Sequence, residues 1–96
     1  MDKAEERLLR IDIAEILGIM VSRLTYDDDN NYVCIDCMFD NYQDTLNKIR
    51  NTPPEAFHEI LNKYGIEQDG NRHFQLKIRI SEYWVADIRP DKITIR

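Results

Sequence analysis

Leu9, Ile13, Ile16, Leu17, Met20 and Leu24 recur at the three- and four-residue spacing of one helix face. Ahead of them Asp2 stands as an N-cap, with Glu5 three residues on, the spacing of a capping box. Glu5 and Glu6 also sit at the positive end of the helix dipole. The far end has two readings. Gly18 costs about 1 kcal/mol relative to alanine inside a helix and suits a C-cap. The periodicity nevertheless runs on to Leu24. A helix that long would meet Asp27, Asp28 and Asp29 at the negative end of its dipole. Residues 19–26 are therefore read as a strand leading into a hairpin, with the last turns of the helix as the alternative.

From Tyr32 the period changes to two. Val33, Ile35, Cys37 and Phe39 alternate with Tyr32, Cys34, Asp36 and Met38, a strand with one face buried. Asp40 with Gln43 then caps a second helix bearing Tyr42, Leu46 and Ile49. "TPPE" starts a third: Thr52 as N-cap, Pro53 at the first helical position, Glu55 closing the box. Phe57, Ile60, Leu61 and Tyr64 form its stripe, Gly65 ends it and Ile66 folds back on it. "QDGN" is a turn. Phe74, Leu76, Ile78 and Ile80 alternate with Gln75, Lys77 and Arg79, and a further strand runs through Trp84, Ala86 and Ile88. "RPDK" turns the chain and "KITIR" closes it as a short, charge-flanked strand. The pattern predicts one α+β domain over residues 1–96. It has an N-terminal helix, a strand or hairpin, two central helices and C-terminal antiparallel strands packed against the helices.

Size agrees with that picture. Ninety-six residues leave room for one core, hiding roughly 60–65% of the extended surface. The N-terminus carries no basic region followed by an apolar run, and no apolar stretch approaches the roughly 20 residues of a spanning helix. Two cysteines are too few for a disulfide scaffold, so a reduced, cytoplasmic protein is expected.

Charge adds an asymmetry. Residues 1–48 carry five Lys or Arg against eleven Asp or Glu, while residues 49–96 carry eight against seven. An acidic N-terminal half repels phosphate backbones and attracts basic surfaces. A solvated surface that only keeps the chain in solution is the blander reading of the same bias.

The sharpest chemistry lies in "TYDDDNNYVCIDCMF", residues 25–39. A C-x-x-C pair binds zinc or cycles through a disulfide when a turn brings the sulfurs together. On a strand, Cys34 and Cys37 sit about 10 Å apart on opposite faces, beyond the roughly 7 Å Cα limit of a disulfide. The histidines His58 and His73 complete no zinc-finger spacing. Asp27, Asp29 and Asn31 match the first ligand positions of a calcium loop, but Tyr32 replaces its glycine and Met38 its closing glutamate. Neither a metal nor any other cofactor is expected. Nucleophile elbows, phosphate-cradling glycine loops and paired-histidine motifs are missing from the sequence, so no catalytic role is expected either.

"IAEILGIMVSRL", residues 13–24, resembles the local pattern of a helix-turn-helix through Ala14, Gly18, Ile19 and Leu24. That resemblance implies a transcription regulator, but its recognition helix would run into Asp27, Asp28 and Asp29. A winged helix would instead use residues 53–64, which carry Glu55 and Glu59 with Lys63. A third alternative is a small subunit that oligomerises through an open sheet edge.

Trp84 shares parity with Ile78 and Ile80 and is placed in the core, which puts Tyr83 on the face of Lys77, Arg79 and Asp87. The preferred reading is a non-catalytic protein-binding module that inhibits or neutralises a basic protein, such as a nuclease or another nucleic-acid enzyme. Tyr26, Asp27, Asp28, Asp29, Tyr32 and Tyr83 are its candidate binding residues. In size and charge the chain is similar to toxin-neutralising immunity proteins and phage-encoded inhibitors of defence nucleases. No direct contact with nucleic acid or membrane is expected.

Overall fold

The first helix, α1 (Lys3–Leu17), starts where Asp2 accepts the Glu5 N–H at 2.8 Å. It stops at Gly18, whose φ of 70° lets the Ile19 N–H reach back to the Ala14 carbonyl. Met20 therefore leaves the apolar stripe and stands exposed. A single 3₁₀ turn (Val21–Arg23) leads into β1 (Leu24–Asp27), which pairs antiparallel with β2 (Tyr32–Cys37). Of the two readings of residues 19–26, the hairpin is the one found, with the strand starting only at Leu24.

The structure is a computed structural model and describes residues 1–66 and 73–90. After β2 come α2 (Tyr42–Asn51) and α3 (Pro54–Lys63), then β3 (Gln75–Ile80) and β4 (Tyr83–Ile88). The strands form one mixed sheet in the order β1-β2-β3-β4, with β2 and β3 parallel and both outer pairs antiparallel. Parallel neighbours need a long crossover, and α2 with α3 supply it. The "QDGN" turn and the "KITIR" strand lie outside the described residues.

Two caps differ from expectation by one residue. The Met38–Asn41 turn is closed by the Asn41 and Tyr42 N–H groups on the Met38 carbonyl, so Asn41 rather than Asp40 precedes α2. The Asn41 side chain faces backwards and accepts the Met38 N–H at 2.8 Å. Thr52 belongs to the end of α2, where its hydroxyl donates to the Lys48 carbonyl at 2.7 Å. Its oxygen is thus engaged behind, and the second proline, Pro54, takes the first helical position of α3. Gly65 (φ 66°) ends that segment and the Ile66 N–H folds back onto the Leu61 carbonyl at 2.9 Å, as expected.

The three helices of the described residues cover one face of the sheet. Leu9, Ile13 and Leu17 of α1, Ile49 of α2, and Phe57 and Leu61 of α3 close over Leu24, Val33, Ile35, Leu76 and Ile78. Each such side chain, fully buried, contributes about 1.5–3 kcal/mol. Arg23 ties the layers together from beneath. It donates to the Asp36 carbonyl at 2.9 Å, to Cys37 Sγ at 3.1 Å and to Thr45 Oγ1 at 2.8 Å. Past Cys37 the strand ends, so Met38 and Phe39 leave the alternation and are exposed at 66% and 83%.

The last hairpin holds the largest departure from the expected pattern. Ile78 faces Ala86 but Arg79 faces Trp84, which leaves Val85 as an extra residue, a β-bulge. The insertion reverses side-chain parity. Trp84 moves out of the expected core to the open face and is 50% exposed. Tyr83 pairs with Ile80, so it does not share the face of Lys77 and Arg79.

Candidate functional site

The acidic run forms the tip of the first hairpin. Asp27 closes it, accepting the Asn30 N–H and the Asn30 side-chain amide, each at 3.0 Å. These hydrogen bonds from Asn30 hold the Asp27 carboxyl below its ordinary range. Asn31 follows with φ 59°, a conformation asparagine tolerates, and its carbonyl accepts the Gln75 N–H at 3.2 Å. The tip is thereby fixed to β3. Tyr26 lies half-buried against the core, and its hydroxyl donates to Asp28 at 3.2 Å.

Two grooves flank Tyr26 and Asp28. One, of about 440 Å³, runs between the tip, the start of α1 at Met1 and Glu5, and the Tyr64–Ile66 corner. The other, of about 530 Å³, runs from Glu6 and Asp27–Asp29 to Tyr32, Cys34, Arg79 and Trp84. The fold thus brings Glu5 and Glu6, 21 or more residues away in the chain, beside the hairpin carboxylates.

On the open face the second groove is floored by an aromatic and cationic layer. Tyr32 and Trp84 meet edge to face with centroids 5.9 Å apart. The Lys77 ammonium lies 4.8 Å from the Tyr32 centroid and 5.5 Å from that of Trp84. Arg79 lies 5.4 Å from Trp84 and is paired with Asp36 at 2.8 Å. Lys77 is paired with Asp87 at 3.7 Å. Burial, followed by the charge of Asp27, pushes the Tyr32 hydroxyl up from its ordinary value. Cys34 is roofed by this layer and only 3% exposed, and its burial raises the thiol above its ordinary value, leaving it a poor nucleophile.

Of the six candidate binding residues, five come together. Tyr26, Asp27, Asp28, Asp29 and Tyr32 all line the second groove. Tyr83 does not join them. It lies opposite Ile80, whereas the hairpin tip aligns with Gln75 at the other end of β3. Glu6, Cys34, Arg79 and Trp84 are groove residues that sequence reasoning missed. For Trp84 a signal existed. The run Tyr83-Trp84-Val85-Ala86 is apolar throughout and breaks strict alternation, a place where a bulge fits.

Cys34 and Cys37 both carry free thiols on opposite faces of β2, one under Lys77 and Arg79 and the other against Arg23. Among the described residues no group of three or more His, Cys, Asp or Glu side chains is placed to hold a metal ion. Among the same residues no helix is long and apolar enough to cross a membrane. The second helix of a helix-turn-helix is not formed after Gly18, because residues 21–23 make one 3₁₀ turn and Leu24 starts a strand. No protein-family model, no curated protein and no solved structure matches the chain.

Proposed function

We propose that this domain is a non-catalytic binding module for a basic protein, engaged through the acidic hairpin tip and the grooves on either side of it. The reading fits an inhibitor or neutraliser of a nuclease or another nucleic-acid enzyme. The observation that carries it is the convergence of Glu5, Glu6, Asp27, Asp28 and Asp29, from two separate elements, around grooves that also offer Tyr26, Tyr32 and Trp84. Among the described residues around the second groove and the open face, the carboxylates of Glu6, Asp27, Asp28, Asp29, Asp36 and Asp87 outnumber the cations Lys77 and Arg79. That balance favours a cationic partner and disfavours a phosphate backbone. Carboxylates steer the encounter, and the aromatic side chains supply contact that persists once water is excluded.

The test is affinity capture from the lysate of the natural host, washed at low salt and again at about 0.5 M, where screening shrinks to a few ångströms. A basic protein held in the first wash and released in the second is the expected result. Capture of nucleic acid, or retention of the domain on heparin, would contradict the reading.

A further inference from the structure

We infer that the groove between the hairpin tip and β4 receives an arginine side chain of the basic partner, its guanidinium stacked on Trp84 and its charge met by the hairpin carboxylates. This rests on the proposed binding of a basic protein and names the group that is gripped. The lining of the groove combines the carboxylates of Asp27, Asp28 and Asp29 with the rings of Tyr32 and Trp84, Asp27 and Tyr32 being cross-strand partners. The two rings already attract cations from their own chain, since Lys77 lies within 5.5 Å of both ring centroids and Arg79 lies 5.4 Å from Trp84. Both are also paired within the chain, Lys77 with Asp87 at 3.7 Å and Arg79 with Asp36 at 2.8 Å.

Arginine suits this lining better than lysine. Its planar guanidinium can lie on an aromatic face while its N–H fork reaches a carboxylate, and it sheds water more readily than an ammonium. The about 530 Å³ of the groove falls within the range of ligand clefts. Trp84 is half-exposed and remains available on the open face.

Trp84 is the only tryptophan, so its emission reports on this groove directly. The experiment titrates the full chain with acetylated, amidated tetra-arginine and, separately, tetra-lysine of equal charge, followed by calorimetry and by Trp84 emission. Both peptides should bind with salt-sensitive affinity. Tetra-arginine should bind about two- to fivefold more tightly and alone should change the emission. In Trp84→Leu the arginine preference should vanish, tetra-arginine losing more affinity than tetra-lysine, and Trp84→Phe should restore part of it. Circular dichroism checks that both variants fold. Equal, salt-sensitive binding of the two peptides with unchanged emission would overturn the arginine inference and leave the acidic-edge reading standing. No binding of either peptide would overturn both.

Discussion

On the helix-covered face of the sheet, Leu24, Val33, Ile35, Leu76 and Ile78 are at most 2% exposed. One position along each strand, Thr25, Tyr32, Asp36, Lys77 and Arg79 reach solvent on the other face. The same backbone carries both sets, because successive side chains in a strand point to opposite sides. On the first face the side chains exclude water and hold the fold. On the second, charges and rings contact one another across the surface and remain open to solvent. Cys34 is the exception, buried on the open face because that layer covers it. The contrast implies that the core and the proposed binding surface are separable by mutation within a single sheet.

The largest expected effect tests the covered face. Ile35→Ala should cost about 2–5 kcal/mol in urea unfolding, because the helices above relax only partly into the space left. Thr25→Ala, exposed on the adjoining strand, should cost about 1 kcal/mol or less. Comparable losses at the two positions would erase the distinction between faces. Next in size is Arg23→Met, which removes the donors to the Asp36 carbonyl and to the buried Thr45 hydroxyl. The expected loss is about 1–3 kcal/mol, read from the shift in the denaturant midpoint.

Acid should act on stability through Asp12 and Asp27, since both carboxyls lie below their ordinary values. Asp12 is lowered chiefly by the hydrogen bond from the Tyr64 hydroxyl, at 2.7 Å, and Asp27 chiefly by Asn30. A depressed folded-state value contributes stability that is present above the unfolded value, about 3.9, and is lost as pH falls through the folded one. Thermal unfolding from pH 6 downwards should show that loss, and Asp12→Asn should flatten it. The smallest effect has the opposite sign. Ser81 holds φ 56° in the two-residue turn between β3 and β4, a conformation that favours glycine. Ser81→Gly should raise stability by on the order of 0.5 kcal/mol, since relief of strain slightly outweighs the entropy glycine loses.

Much of this architecture was legible because it is local. The stripes of α1 and α3 follow from periodicity, and Gly18 and Gly65 end those segments through a backbone shape the residue type announces. The hairpin tip was legible from its run of Asp and Asn. The parallel pairing of β2 with β3 was not, because it joins residues more than forty apart and no turn sequence specifies it. The bulge at Val85 was also hidden. One inserted residue exchanged Trp84 for Tyr83 on the open face, so a groove residue was assigned to the core and a distant tyrosine to the binding set. Thr52 shows the same limit at a helix end. Its hydroxyl suits a cap on either side, and the bond it makes to the Lys48 carbonyl, four residues back, assigns it to the helix behind it.

The central claim, that the hairpin carboxylates recruit a basic partner, is tested most directly by association kinetics. Wild type and the triple variant Asp27→Asn, Asp28→Asn, Asp29→Asn would be compared against the captured basic protein over a salt series. The account predicts about tenfold slower association of the variant at low salt and a flatter dependence of its rate on salt, with dissociation changed less. Identical rates and identical salt slopes would contradict it.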